Sequence, residues 1–505
     1  MIAAGKVWLV GAGPGDPELI AVRGLEALRA ADVVLYDALA HPALRAVCRE
    51  GAELRDVGKR FGQPSSVQLA INEELVAAAR AGKCVVRLKG GDPLLFARGA
   101  EEALALVEAG IEFEIVPAVS SPVGAATYAG IPLTHRELSS SVTFITGSDR
   151  AGVPWSPDSW KKLATATDTI CVLMGMRRID AITAALVEGG RHPATPAAVI
   201  QWGARPEQRV VSATLADIAA RSRAEGLTNP AIIVVGEVVA LREKLAWFEK
   251  KPLFGRRLLV PRPSGQAERT ARAIRARGGE PIVLPLIAIG PPPDVAALER
   301  AASNVRDYDW VLFTSENGVE RFFAVVRRLG HDARVFGQSR VGVIGPRTAD
   351  ALRRFGLDAD VIADEHVGEG LARDVLKHGV PRRVLLARAL VARDALPNAL
   401  REAGAAVDVV AAYETSPVLE AGEELRRLVA AKSIDAILLT SSSTVEAVVE
   451  RLGPGAAELL AGVTVASIGP VTTKSAESLG IRVDVAARTF TVDGLLDALE
   501  ASARA

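Results

Sequence analysis

Two glycine-rich turns, each set directly after a short apolar run, are the features of this sequence best suited to holding a small molecule. The first is Gly11-Ala-Gly-Pro-Gly-Asp-Pro17, after Lys6-Val-Trp-Leu-Val10; the second is Gly90-Gly-Asp-Pro93, after Val85-Val-Arg-Leu-Lys89. Glycine has no Cβ and tolerates φ > 0, so such turns bring main-chain N–H groups close to a ligand. The spacing is not the G-x-G-x-x-G of a nicotinamide-binding turn, and Pro14 removes an N–H that a phosphate cradle would use. Asp37 closes the apolar run Val33–Tyr36. An acid at the C-terminal end of a strand stands where open α/β sheets face their ligand, although an Asx turn or a helix cap would also place it there. Lys59 follows Gly58 near another strand end, and His135 lies in Ile131-Pro-Leu-Thr-His-Arg136. That histidine reads as a hydrogen-bonded structural residue near a hinge in preference to a base.

Such residues need a scaffold, and the pattern of apolar runs supplies one. Strands are predicted at Lys6–Val10, Val33–Tyr36, Val85–Lys89 and Phe113–Pro117, with helices over Glu18–Ala31, Gln68–Arg80 and Ala97–Ala109. After Leu133–Ser140 the segments Val142–Thr146, Thr169–Met174, Ala197–Gln201 and Ala231–Val235 read as strands of a second lobe. The expected fold is therefore α/β, with a cleft between two lobes. The polar, basic stretch 250–255 reads as a linker between a domain at 1–249 and another at 256–505.

Composition narrows the classes of function. Sixty basic and sixty acidic residues cancel, which argues against a general binder of nucleic acid or anionic membrane. Three widely spaced cysteines and unclustered histidines give neither a disulfide framework nor a metal site, and they suit a reducing cytoplasm. Arginine greatly outnumbers lysine. Guanidinium forks match carboxylates, so an anionic substrate is one use for that excess, and compositional bias is another.

Residues 5–249 resemble uroporphyrinogen-III C-methyltransferase of the tetrapyrrole methylase superfamily. The resemblance is carried by GAGPGDPELI, VVLYDAL, VGKR, VVRLKGGDPLLFARGAEE, YAGIPLTHR and VVGEVVALREKLAWF. It implies S-adenosylmethionine as cofactor, held at Pro14, Gly90, Gly91, Asp92, Leu95, Ser120, Ser121, Met174 and Gly203. It also implies that Asp37 and Lys59 are proton acceptor and donor, with no metal, and that the chain pairs as a homodimer through this half. One departure stands out: Ala118 occupies a position where many members carry glycine, and a φ > 0 there would strain it.

The other half contains a repeat. Arg256-Arg-Leu-Leu-Val-Pro-Arg262 recurs 126 residues on as Arg382-Arg-Val-Leu-Leu-Ala-Arg388, and Asp309–Ser315 recurs at the same offset as Asp435–Ser441. Val343-Ile-Gly-Pro346 recurs 124 residues on as Ser467-Ile-Gly-Pro470. Two homologous parallel-sheet lobes follow, one at about 256–288 plus 418–505 and the other at about 292–408, with 285–293 and 409–417 as the crossings. FTSENGVERFF, VGVIGPRTADALRRFG, AAYETSP, LLTSSSTVEAVVERL and ASIGPVTTKSAESLG resemble uroporphyrinogen-III synthase, which implies flavodoxin-like lobes. By that resemblance Tyr413 assists loss of the substrate hydroxyl, while Thr314, Ser315, Thr440 and Ser441 meet substrate carboxylates. The two resemblances imply one enzyme. It would cyclise hydroxymethylbilane to uroporphyrinogen III and methylate that product twice to precorrin-2, for sirohaem or cobalamin. A later precorrin methyltransferase, or a C-terminal half that only binds tetrapyrrole, are the alternatives.

Overall fold

The computed structural model describes residues 5–58, 66–147, 155–365 and 367–504. It divides into two compact units: the chain up to Arg256 with Ile274–Glu280, and Arg257–Ala273 with the chain from Pro281 onward. No described helix is long and apolar enough to cross a membrane.

In the first unit, strands β1 (Val7–Gly11), β2 (Val33–Tyr36), β3 (Glu53–Asp56), β4 (Val85–Lys89) and β5 (Phe113–Val116) form a parallel sheet ordered β3-β2-β4-β1-β5. Every residue of β4 is buried, as a central strand covered on both faces by helices requires. The helix expected over Glu18–Ala31 is confined to Val22–Ala30, because Asp16 accepts from the Glu18 N–H (2.9 Å) and caps a separate short turn, Pro17–Leu19. A second sheet holds β6 (Val142–Thr146), β7 (Thr169–Leu173), β8 (Pro196–Gln201), β9 (Arg209–Thr214) and β10 (Ala231–Val235) in the order β6-β7-β10-β8-β9. Only β6 and β7 pair parallel; the remaining pairs are antiparallel. The stretch 250–255 is packed, not an open tether: Leu253 is buried, and Phe254 meets Phe248 edge-on at 5.3 Å within an aromatic cluster that includes Tyr128 and Trp247.

In the second unit, β11 (Arg257–Val260) and β12 (Glu280–Val283) open one sheet. The chain then builds a whole second sheet from β13 (Ile287–Gly290), β14 (Trp310–Phe313), β15 (Arg340–Val343), β16 (Val361–Ile362), β17 (Arg383–Ala389) and β18 (Ala406–Pro417). It returns to finish the first with β19 (Ala436–Leu439), β20 (Thr464–Ser467) and β21 (Val485–Ala486). The orders are β12-β11-β19-β20-β21 and β13-β18-β17-β14-β15-β16. Set aside β13, and the two sheets are the same arrangement. β11 takes the place of β17, β12 of β18, β19 of β14, β20 of β15 and β21 of β16, which is what the repeated sequence offsets require. The segments read as crossings are themselves strand: β13 pairs antiparallel with the end of β18, Ile287 opposite Pro417 and Gly290 opposite Glu414. This ribbon carries the second lobe's sheet out to Pro417. The second lobe's core is aromatic, with Phe323 stacked on Phe355 at 4.4 Å and Phe313 edge-on to Phe322 at 5.5 Å.

Candidate functional site

The two glycine turns of the first unit meet. Gly13 and Gly91 exchange both main-chain hydrogen bonds (Gly91 N–H to Gly13 O 2.8 Å, Gly13 N–H to Gly91 O 3.3 Å), and their φ of +80° and +70° explain why neither carries a side chain. Asp92 works within the scaffold. Its Oδ1 accepts from the Leu94 and Leu95 N–H groups (2.8 and 3.2 Å) and its Oδ2 from the Ala118 N–H (3.2 Å), tying the loop after β4 to the loop after β5. Ala118 is not among the described residues with left-handed φ, so its methyl brings no backbone strain. Ser120 is the N-cap of the helix Ser121–Tyr128, and a Cβ at Gly91 would lie 2.9 Å from Ser121 Oγ.

Loops of the second sheet close on this corner. A Cβ on Gly203 would lie 2.3 Å from the Ala125 Cβ, and one on Gly124 would lie 2.3 Å from the Pro14 Cγ. Arg205 donates to the Leu39 carbonyl (3.0 Å), and Tyr128 donates its hydroxyl to Asp16 (2.7 Å), which with burial pushes the Tyr128 pKa well above its usual value. Met174, Trp202 and Ala204 all adopt positive φ, and the Met174 side chain is 58% exposed. Non-glycine residues in that conformation are strained and collect where a site fixes the main chain. His135 is engaged in its own turn: it exchanges main-chain bonds with Ser139, and its Nδ1 accepts from the Glu137 N–H (3.3 Å). Its role there is structural.

Asp37 stands at the C-terminal end of β2, with Arg87 Nη2 donating to its Oδ1 at 2.5 Å. Its other oxygen makes no hydrogen bond among the described residues. Arg87 is one member of a buried chain of charge that sequence reading missed. Its Nε donates to Glu102 Oε1 (3.1 Å), Lys89 Nζ reaches both Glu102 oxygens (2.8 and 2.9 Å), and Gln68 donates to the same carboxylate (3.1 Å). Arg87, Lys89 and Glu102 are 2%, 1% and 0% exposed. Burial lowers the Lys89 pKa, and the neighbouring Arg87 lowers it further. The available signal was two cations two residues apart in an otherwise apolar strand, which places both on one face. Lys59 lies outside the described residues.

In the second unit the structure brings Tyr413 and Ser315 together. The Tyr413 hydroxyl, on a side chain 7% exposed, is 3.1 Å from Ser315 Oγ, and that oxygen caps the helix Glu316–Arg328 by accepting from the Gly318 N–H (3.0 Å). Ser441 caps the equivalent helix in the other lobe, accepting from the Thr444 N–H (3.2 Å), and its neighbours are the Ser443 and Thr444 hydroxyls. No tyrosine partners it among the described residues. Thr314 and Thr440 precede the two caps and are half-buried. At the junction of the lobes Gln266 donates to Asn317 (3.0 Å) and accepts from Arg262 Nη2 (2.6 Å). Burial, together with repulsion from Arg347, lowers the Arg262 pKa to about 10, so the group stays charged at neutral pH. No group of three or more His, Cys, Asp or Glu that could hold a metal ion occurs among the described residues.

The class is that of a two-unit α/β protein with glycine- and hydroxyl-bearing turns at the ends of its strands. Comparison with known proteins gives the particular family. Residues 6–219 match the family described as tetrapyrrole (corrin/porphyrin) methylases, and residues 268–497 match that of uroporphyrinogen-III synthase HemD. The porphyrin biosynthesis protein HemD of Ruminiclostridium josui is 38% identical over 98% of this chain and 97% of its own length. A uroporphyrinogen-III C-methyltransferase of a Sinorhizobium species is 49% identical over 48% of this chain and 87% of its own. The siroheme synthase of Azotobacter vinelandii is 49% identical over 49% of this chain but 53% of its own. The chain belongs to the family of the porphyrin biosynthesis protein HemD, in which a tetrapyrrole methylase unit and a uroporphyrinogen-III synthase unit are joined in one enzyme of tetrapyrrole biosynthesis.

Proposed function

We propose that the second unit closes hydroxymethylbilane to uroporphyrinogen III with inversion of the last ring. The first unit then methylates that product twice, at C2 and C7, with S-adenosylmethionine to give precorrin-2 for sirohaem or cobalamin. One observation carries the reading: a single chain joins two units of which one makes what the other consumes.

The residues of the first unit fit the cofactor. Gly90, Gly91, Ser120 and Ser121 offer main chain with little side-chain bulk, and Pro14, Leu95, Met174 and Gly203 complete the cradle. Asp92 contributes by holding the loops after β4 and β5, since its carboxylate is committed to three main-chain N–H groups. When bound, S-adenosylmethionine supplies a sulfonium methyl to an electron-rich pyrrole carbon, a transfer that depends on alignment. Asp37 then takes the proton that the methylated ring system must lose. Arg87 fixes one oxygen of that carboxylate and leaves the other for substrate. Lys59 serves as the donor.

In the second unit, with Ser315 donating its hydroxyl proton, the Tyr413 O–H is left to assist departure of the bilane hydroxyl. The cleft then holds the reactive chain curled while the ring closes. Thr314, Ser315, Thr440 and Ser441 meet substrate carboxylates, and pairing of two chains through the first unit completes the proposal.

The test is one incubation of the protein with hydroxymethylbilane, with and without S-adenosylmethionine, read by chromatography and mass. Uroporphyrinogen III without cofactor and a doubly methylated product with it are expected. Only the symmetric type I ring would overturn the synthase assignment, and an unmethylated type III product in the presence of cofactor would overturn the methylase assignment.

A further inference from the structure

The repeat within the second unit permits an internal comparison of one residue with itself. Arg262 and Arg388 occupy the same place, just beyond β11 and at the end of β17, the strands that correspond in the two sheets. Arg388 is neutralised by its own lobe: Nη2 donates to Asp394 (2.5 Å) and Nη1 to the Arg393 carbonyl (2.7 Å). Arg262 has no carboxylate partner among the described residues. Its Nη2 donates to the Gln266 amide (2.6 Å) and its Nη1 to the Thr270 hydroxyl (3.4 Å), both uncharged. One acid does act on it electrostatically, Glu316, but that carboxylate is already paired with Arg354 at 2.8 Å. Arg269 and Arg347 add further positive charge around it.

A partly buried cation held by neutral groups and pressed by other cations is costly unless something anionic completes it. The protein supplies the anion in one lobe and withholds it in the other. The place also matters. Gln266 ties Arg262 to Asn317 of the opposite lobe, two residues from Ser315, whose oxygen meets Tyr413. The guanidinium therefore sits at the corner where the strand ends of both lobes converge.

We propose that Arg262 binds a carboxylate of the linear tetrapyrrole substrate, anchoring one acidic side chain beside Tyr413 as a specificity-determining residue of the synthase unit. This rests on the synthase reading above. The fork of a guanidinium matches a carboxylate in two parallel bonds, whereas an ammonium offers a point charge.

The test is steady-state cyclisation of hydroxymethylbilane by the full chain without cofactor, with the type III and type I products separated. In R262M the KM is expected to rise about tenfold or more with kcat within about threefold, the effect of losing a hydrogen-bonded charge pair. R262K is expected to recover part of that loss. An R262M enzyme with unaltered KM would overturn the proposal, as would equal loss of kcat in both variants at constant KM, since that is the signature of a structural role. Should R262M fail to fold, R262Q reads the same KM while keeping a polar side chain in contact with Gln266. Failure of the unsubstituted protein to form the type III ring would instead strike the synthase reading, so the two failures are distinguishable.

Discussion

Two strands, β4 of the first unit and β11 of the second, treat positive charge in opposite ways. Along β4 of the first, Arg87 and Lys89 are enclosed and matched by Glu102 and Asp37, with Gln68 filling the remaining valence. At the end of β11 in the second, Arg262 hydrogen-bonds, among the described residues, to an amide and a hydroxyl. A charge answered inside the protein fixes the position of its neighbours, here the Asp37 carboxylate. A charge answered by neutral groups keeps its capacity for a ligand. The contrast separates two uses of arginine that composition alone cannot separate.

The hardest test of that contrast is Glu102→Leu, which strands the buried Lys89 and leaves Arg87 with Asp37 as its one carboxylate among the described residues. Removing one partner of a buried ionic network costs about 3–5 kcal/mol, so the first denaturant transition of the full chain is expected to shift accordingly. A change of a few tenths would show that the network holds nothing. Asp37→Asn is expected to slow methylation about 100-fold or more while cyclisation proceeds at the unsubstituted rate, measured by product mass with and without cofactor. Retained methylation would leave the carboxylate as a loop residue only.

Smaller effects sharpen the comparison between the lobes. Ser315→Ala and Ser441→Ala each remove a helix cap and are expected to cost about 1 kcal/mol of stability apiece. Ser315→Ala should depress cyclisation more than Ser441→Ala, because it alone also removes a contact to Tyr413. Equal effects on turnover would place both caps in the site or neither. Least of all, Cys171 is buried and its thiol is pushed up to about 12 by that burial, so iodoacetamide at pH 8 is expected to leave it unlabelled until the protein is denatured. Labelling of the native protein at Cys171 would show that the β7 core opens.

The glycine turns, Asp37 and the duplicated half were legible because each leaves a local mark: a Gly-Pro run, an acid ending an apolar run, a constant offset. The Glu102 network left only the pair Arg87 and Lys89 in β4, since its other members come from a loop and two helices and meet only in the folded sheet. β3, met only as a strand end before Lys59, and β9, not read at all, were obscure for a different reason. Both lie at sheet edges, and Glu53-Leu-Arg-Asp56 is mostly exposed, so no apolar alternation marks it. The worry over Ala118 came from pattern and dissolved in geometry, because the main chain there takes an ordinary φ. Asp92 shows the reverse case: its place in the motif was plain, but its bonds to Leu94, Leu95 and Ala118 became visible only when the two loops were seen together.

The interleaved order of the second unit's strands carries a consequence for synthesis on the ribosome. β11 and β12 emerge first, yet β11's partner β19 lies on the far side of an entire intervening lobe. At translation rates of 5–20 residues per second, Leu258, Leu259 and Val260 wait on the order of ten seconds for the strand that covers them. Over that interval the nascent chain presents an apolar strand with one edge unpaired beside the intervening lobe. A circular permutant of the second unit alone, opening between β12 and β13 with that unit's own ends joined, would deliver all five strands of the split sheet in one run and abolish the wait.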